Sequence, residues 1–148
     1  MGNPPSSANQ ANGQATNQAN KVVAAFLNGR RVKGRVFNFS AIKDTFDLFP
    51  PEDGKQPKSV SVRIGELKAL FFVKDLIGNK VYQESANLEV AKHGRKIEVT
   101  FLDGEKMLGV TDAYNPQKLG FFVFPADPKS NNLRVFVVTK NVKQVRFV

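Results

Sequence analysis

The sequence predicts an all-β protein made of two tandem five-stranded small barrels behind a disordered N-terminal tail. Three observations lead to this prediction: a repeat with an offset of 75 residues, short apolar runs separated by Gly, Pro, Asn and Asp, and a first segment of 20 residues without charged or aromatic side chains. Short runs of β-branched and aromatic residues between turn-forming residues are typical of strands. We therefore expect a tail (1–20), a first barrel (21–73), a connector (74–96) and a second barrel (97–148).

The repeat aligns residues 22–73 with residues 97–148 without a gap. Thirteen of the 52 aligned positions carry the same residue, and most of the others keep an apolar or turn-forming side chain. In the first copy the identical residues are Phe26, Leu27, Gly29, Gly34, Lys43, Phe46, Phe49, Pro50, Val60, Val62, Lys68, Phe72 and Val73. A repeat of this kind predicts an internal duplication, in which one structural unit occurs twice.

Within the first copy the pattern predicts five strands. The first strand leads into Asn28-Gly29, a pair that favours a type I′ hairpin turn, and the second copy has Asp103-Gly104 at the same place. The second strand has Gly34 at its middle, where a glycine usually marks a bulge or a bend. The strands are expected at residues 22–27, 30–39, 45–49, 59–64 and 67–73.

The tail and the residue types that are missing limit the possible functions. The tail cannot bury enough apolar surface to offset the entropy of ordering it, so we expect disorder there. Cysteine is absent and His93 is the only histidine, so neither a transition-metal site nor a cofactor is expected. No apolar run approaches the ~20 residues that span a membrane, and the composition suits a reducing cytoplasm.

Basic residues dominate the part of the chain that is expected to fold. All 22 Lys and Arg residues and all 13 Asp and Glu residues lie within 21–148, which gives that part a net charge of +9. A strongly positive surface raises the expectation of a polyanionic partner. By halves, residues 21–73 carry ten bases and five acids, whereas residues 97–148 carry seven bases and five acids.

A basic run on the second expected strand is the most informative candidate site. Alternation along a strand places Arg31, Lys33 and Arg35 on one face, together with Phe37 and Phe39. Cations interleaved with rings are typical of surfaces that bind single-stranded nucleic acid, because the charges follow phosphates and the rings stack on bases. The alternative is a solvated barrel face whose two phenylalanines cover the opposing sheet.

The sequence therefore predicts a nucleic-acid or anion site on the first module, with RNA or single-stranded DNA as the partner. The expected site residues are Arg30, Arg31, Lys33, Arg35, Phe37, Phe39 and Lys43. Lys55 and Lys58 are expected to add auxiliary charge. The corresponding strand of the second copy carries Lys106, Leu108, Val110 and Asp112. The two copies are thus expected to differ in this surface, with the first copy contacting the ligand.

Gly34, Val36 and Phe39 follow the spacing Gly-x-Val/Leu-x-x-Phe, which resembles the first motif of the Sm-like family. The resemblance covers about 50 residues in each copy and implies a small barrel of the Sm-like or SH3-like kind. The positions that form the uridine pocket in that family hold Ser40, Lys43 and Asp44 here. The resemblance therefore implies the fold and does not carry over uridine recognition.

Two further resemblances concern other families. Arg31-x-x-x-Arg35 followed by Asn38-x-Ser40 resembles the motifs of PilZ domains, which bind cyclic di-GMP, although Lys43 stands where that family has glycine. The segments GELKALFFVKD, VTFLDGEKMLG and GFFVFPADPKSNNLRVFVV resemble an uncharacterised bacterial family. This second resemblance implies a bacterial, cytoplasmic protein and carries no activity with it.

No pattern in the sequence indicates catalysis, because the carboxylates lie singly or in turns and no glycine-rich phosphate loop precedes a helix. We therefore expect a non-catalytic binding protein. The alternative is a protein-interaction, scaffolding or regulatory module that uses a sheet edge or the Phe-rich runs at 70–73 and 121–124 to bind a protein partner or a second copy of itself. A cyclic di-GMP sensor of the PilZ kind is a third hypothesis.

Overall fold

The computed structural model describes residues 20–37, 39–51, 58–76, 94–127 and 129–148. Residues 1–19 of the expected tail and 77–93 of the expected connector lie outside the described residues. Within the described ranges the regular structure consists of strands and short 3-10 turns, with no α-helix, which confirms the all-β prediction. The strands are β1 (Asn20–Phe26), β2 (Arg31–Val36), β3 (Thr45–Leu48), β4 (Val60–Arg63), β5 (Leu67–Val73), β6 (Arg95–Phe101), β7 (Lys106–Thr111), β8 (Gly120–Pro125), β9 (Asn132–Val138) and β10 (Val142–Phe147). The 3-10 turns are Ile64–Glu66 and Thr139–Asn141.

Eight strands form one continuous sheet in the order β10-β6-β7-β8-β9-β5-β1-β2, and β3 and β4 form a separate two-stranded ribbon. The described strands do not close into a barrel, so the expected pair of five-stranded barrels is not confirmed. The reason is the antiparallel pairing of β5 with β9, in which Phe71 lies opposite Val135 and Leu70 opposite Phe136. We call this pairing the seam, because it joins residues from the two expected modules.

The strands of the two halves keep the spacing of the sequence repeat. β1 and β6 have the same bounds offset by 75 residues, and so do β2 and β7. The first residue of each 3-10 turn makes a hydrogen bond with the same offset. The amide of Ile64 donates to the carbonyl of Asp44 over 2.8 Å, and the amide of Thr139 donates to the carbonyl of Leu119 over 3.0 Å. The repeat in the sequence is therefore matched by equivalent local structure.

The first hairpin lies where the sequence places it, but the predicted type I′ turn is wrong. The amide of Gly29 donates to the carbonyl of Phe26 over 3.0 Å, and the amide of Phe26 donates to the carbonyl of Arg30 over 2.8 Å. These bonds close a three-residue loop, in which a type I turn is followed by a left-handed residue. Gly29 is that residue, with φ +92°. The Asn28 side chain accepts a hydrogen bond from the amide of Arg30 over 2.9 Å, which favours this loop.

Gly34 marks a close approach between strands. A Cβ atom at this position would lie 2.5 Å from the carbonyl oxygen of Phe49 and 2.6 Å from a methyl group of Leu48. Here β2 meets β3 through a single bridge between Arg35 and Phe49. Gly109 has the equivalent place beside Phe124 in the second half. The expected bend is thus a site where only glycine lets the two backbones touch.

Two hydrophobic cores lie on opposite faces of the large sheet, because successive residues of a strand point to opposite sides. Leu70 and Phe72 of β5 belong to the first core, which the ribbon of β3 and β4 covers. Ala69 and Phe71 of the same strand pack against the second core, which is built mainly by β6, β8 and β9. Each core therefore takes side chains from both sides of the seam.

Candidate functional site

The outer strand β2 carries a row of exposed cations. Arg31, Lys33 and Arg35 are exposed, whereas Gly34 and Val36 between and beyond them are buried. The three cations therefore share one face, as the sequence predicts. Successive members lie ~7 Å apart, which is the repeat of two residues along an extended strand.

The neighbouring strand β1 extends this row. Lys21 lies opposite Arg35 in the antiparallel register of β1 and β2, so its side chain is on the same face. Arg31 sits above an aromatic ring, with its guanidinium carbon 5.5 Å from the centroid of Phe71. We call Lys21, Arg31, Lys33 and Arg35 the basic row.

No ion pair of the described residues includes a member of the row. Exposed cations that are not engaged in an ion pair can attract an incoming anion. The row is therefore a positively charged part of the described surface.

A groove of about 520 Å³ lies at the end of the row where β2 meets β3. Its aromatic part includes the pair Phe37 and Phe49, whose ring centroids are 5.3 Å apart in an edge-to-face arrangement. Phe37 is 45% exposed, although a large apolar side chain gains free energy by burial. The described residues that line it are Phe37, Lys43, Thr45, Phe46, Asp47 and Phe49.

Phe39 does not belong to this surface, contrary to the expectation that it shares a face with the cations. Its ring packs against the first core, with centroids 5.1 Å from Phe136 and 5.5 Å from Phe72. The cause is that β2 ends at Val36 and the chain bends at Phe37. The alternation of a strand no longer applies beyond that point, and the next phenylalanine turns inward.

The other expected site residues lie in different places. Arg30 precedes β2 and places its guanidinium carbon 5.6 Å from the ring centroid of Phe26, which packs against the first core, so it lies at the hairpin end and outside the row. Lys43 lines the groove beside Phe37. Lys58 is exposed shortly before β4. Lys55 lies outside the described residues.

Two further predictions concern sites of other kinds. Arg31 and Arg35, which resemble the PilZ arm, lie within β2 and are paired with β1, and Asn38 lies outside the described residues. His93 also lies outside them. In the part of the chain that the structure describes, no group of three or more His, Cys, Asp or Glu residues could hold a metal ion.

Sequence reasoning missed Lys21 and Phe49 as members of the site. A two-residue type I′ loop at Asn28-Gly29 would place Lys21 opposite Val36, whereas the three-residue loop places it opposite Arg35. Since hairpin register follows from loop length, the correct turn would have brought Lys21 into the row. Phe49 carried no signal beyond its place at a strand end.

A comparison with protein families matches residues 18–148 to the family of unknown function DUF6982. The chain belongs to this family. The match spans every residue of the basic row and the groove, and it confirms the expectation of an uncharacterised family. Neither the curated proteins nor the solved structures gave a match to this DUF6982 protein.

The described part of the DUF6982 protein contains no helix that is long and apolar enough to cross a membrane. The expectation that the chain has no apolar run long enough to span a membrane rests on the sequence. The structural finding concerns helices of the described ranges alone.

Proposed function

We propose that this DUF6982 protein binds single-stranded nucleic acid, RNA or DNA, through the basic row and the groove beside it. The observation that carries the proposal is the row of exposed cations, which have no ion-pair partner among the described residues and lead to an exposed aromatic ring. Proteins that bind single strands combine such charges, which follow the phosphates, with rings that stack on bases. The same surface also suits other extended polyanions.

The row and the groove are held in one continuous arrangement. The amide of Arg35 donates to the carbonyl of Phe49 over 2.8 Å, and the amide of Phe49 donates back to Arg35 over 2.8 Å. This pair of bonds fixes the last cation of the row next to the aromatic part of the groove. A strand of nucleic acid lying along β2 therefore brings its next base to Phe37.

The chemistry of the groove favours a base over a phosphate. Asp47 contributes a carboxylate to the lining, which repels a phosphate but accepts hydrogen bonds from the amino and imino groups of a base. Phe37 provides the ring for stacking. Lys43, on the same lining, is placed to neutralise the phosphate that follows the base.

The proposal is one of binding without catalysis, because charge and stacking surface are what the assembled residues provide. The partner and the absence of cysteine suit the proposed cytoplasmic location. In the second half the positions of Arg35 and Phe37 are taken by Val110 and Asp112. We accordingly assign ligand contact to the first half and a supporting role to the second.

We also propose that the two halves are copies of one small-barrel module from an internal duplication. The first half is connected in the order β4-β3-β2-β1-β5, counting the bridge between β2 and β3, and the second half in the order β9-β8-β7-β6-β10. These orders are equivalent under the 75-residue offset. The common order and the 13 identical positions support this origin.

The binding proposal is tested by fluorescence anisotropy with labelled single-stranded RNA and DNA oligonucleotides at low salt. The triple variant Arg31→Gln, Lys33→Gln and Arg35→Gln is expected to lose affinity by about tenfold or more, since three phosphate contacts are removed. The matched control removes three exposed cations of the second half by Lys106→Gln, Lys118→Gln and Lys129→Gln. Equal losses in both variants, or no binding by the unmodified protein, would sink the proposal.

A further inference from the structure

The seam is a joint in which each half completes the core of the other. From the second half, Phe136 and Val138 of β9 are buried in the first core, and Leu119 and Phe122 pack against it. From the first half, Ala69 of β5 is buried in the second core, and Phe71 packs against that core. The seam thus combines main-chain pairing with an exchange of apolar side chains.

The 75-residue offset gives this joint a counterpart at the two ends of the molecule. The counterpart of β9 is β4, and the counterpart of β5 is β10. Among the described strands, β4 pairs with β3 alone and β10 pairs with β6 alone. Within the described ranges β4 and β10 therefore each have one unpaired edge, and the edge of β4 in one molecule and that of β10 in another are placed to repeat the seam between two copies of the chain, head to tail.

The side chains at these two edges are polar, whereas those that pack across the seam are apolar. Four residues of the second half pack against the first core across the seam: Leu119, Phe122, Phe136 and Val138. Their counterparts in and next to the ribbon are Asp44, Asp47, Ser61 and Arg63. Strand β10 has Gln144 and Arg146 where the seam has Ala69 and Phe71. All of these polar residues are exposed. A second copy that docked here would have to bury several of them in an apolar core.

The polar contacts of the seam also fail to repeat. Lys68 bonds Asp103 over 2.8 Å and also bonds Glu105. The counterpart of Lys68 is Lys143, which would meet Asn28 and Arg30 in place of the two acids. A cation would then face a cation.

The second polar contact involves an amide side chain. Asn141 donates through Nδ2 to the carbonyls of Gly65 and Leu67, each over 2.9 Å. The counterpart of Asn141 is Glu66, whose carboxylate has no proton to donate. This contact is therefore also lost in a repeated joint.

We infer that the seam is a head-to-tail joint that this chain forms once, internally, and that polar residues at the free edges of β4 and β10 stop a second copy from docking there. Burial of charged and polar side chains in an apolar core carries a large cost in free energy, also for Arg146, which pairs with Glu98 over 3.0 Å. Charged side chains on edge strands are a known means of preventing edge-to-edge association. The main-chain edges remain compatible with the joint, while the side chains block it.

The test restores the seam residues to one edge at a time. A ribbon variant carries Asp47→Phe, Ser61→Phe and Arg63→Val, and a strand variant carries Gln144→Ala and Arg146→Phe. Sedimentation velocity is expected to show that the unmodified protein and each variant alone are monomers. A mixture of the two variants is expected to form a one-to-one dimer, because one restored ribbon edge can then meet one restored β10 edge.

The control is an equally apolar variant that changes exposed residues away from the edges, Lys106→Val, Lys118→Phe and Lys129→Phe. It is expected not to bind the strand variant. The inference is overturned if the two folded edge variants remain separate when mixed, or if the control variant binds as well as the ribbon variant. The unmodified protein provides a test that needs no variant. A stable head-to-tail oligomer through β4 and β10 would contradict the inference that polar side chains prevent a second copy from docking.

Discussion

The Nζ atom of Lys68 lies 2.8 Å from Oδ2 of Asp103, and this ion pair joins β5 of the first half to the hairpin loop between β6 and β7 of the second half. Lys68 also bonds Glu105 and lies 4.9 Å from the ring centroid of Phe101. The lysine is buried, whereas the two carboxylates are more than half exposed. The acids therefore compensate a cation whose stem already packs in the seam.

This arrangement predicts that removing the two carboxylates lowers the thermal stability more than removing the charge of Lys68. Asp103→Asn combined with Glu105→Gln leaves a buried cation without a counter-charge, so we expect Tm to fall by roughly 4 °C or more. Lys68→Met removes the charge and keeps the packing on Phe101, so a smaller decrease is expected. Thermal unfolding followed by circular dichroism compares the two variants, and a larger loss in Lys68→Met would contradict this account.

The same pair predicts a dependence of stability on pH. A hydrogen bond from Lys68, and a second from the amide of Glu105, hold the pKa of Asp103 below its ordinary value of 3.8. A depressed folded-state pKa gives stability that is present above pH 3.8 and is lost as the pH falls through the folded-state pKa. Urea unfolding between pH 2 and pH 6 is expected to show this loss, and Asp103→Asn is expected to reduce it.

At alkaline pH the titration of Lys68 determines how the ion pair's contribution to stability depends on pH. Burial alone lowers the pKa of Lys68, but the hydrogen bonds and charges of Asp103 and Glu105 outweigh burial and raise the pKa above 10.5. The pair's contribution is therefore complete below pH 10.5 and is lost as the pH rises through the folded-state pKa. In Lys68→Met this alkaline loss should disappear, and its persistence would assign it to another group.

Gly34 and Gly65 allow a matched test of the close approach between β2 and β3. A Cβ atom at Gly34 meets the backbone of Phe49, so Gly34→Ala is expected to destabilise the protein by about 1–3 kcal/mol through overpacking. A Cβ atom at Gly65 would lie 2.8 Å from Nζ of Lys140, the mobile end of a long side chain. Chemical denaturation should therefore show a smaller effect for Gly65→Ala, and equal effects would argue against the close approach.

Variants at Phe37 and Phe124 distinguish the contribution of stacking from that of charge in the proposed site. Phe37→Ala is expected to weaken binding of a single-stranded oligonucleotide by about tenfold, in line with ~1–3 kcal/mol for a stacked base, and to leave the salt dependence unchanged. Phe124, which is 40% exposed in the second half, is the control, and Phe124→Ala is expected to bind normally. A lower salt dependence in Phe37→Ala would show that the site had been misassigned.

Local features of the fold could be predicted from the sequence. The expected strands overlap β1 to β5, and the loop residue Gly29 has the positive φ that its place in a hairpin requires. The turn type, in contrast, could not be predicted, because Asn28-Gly29 suits both a two-residue and a three-residue loop. The hydrogen bond from the amide of Arg30 to the Asn28 side chain accompanies the longer loop.

The seam could not be predicted in the same way. It pairs β5 with β9, which are far apart in sequence, and such pairing depends on which edges are left free after each half has folded. Residues of the two Phe-rich runs do lie at this contact, since Phe71 packs against the second core and Phe122 against the first. Phe39 was misplaced because alternation holds only within a strand, and β2 ends at Val36.

The salt dependence of nucleic-acid binding tests the central claim most directly. For a single strand the slope of log Kobs against log salt concentration is about −0.7 per phosphate contact. We expect the unmodified protein to show a slope of about −2 or steeper, and the variant Arg31→Gln, Lys33→Gln and Arg35→Gln to be less steep by about 2. A slope that is the same in both proteins, or binding that is insensitive to salt, would contradict the assignment of the basic row as the phosphate-binding surface.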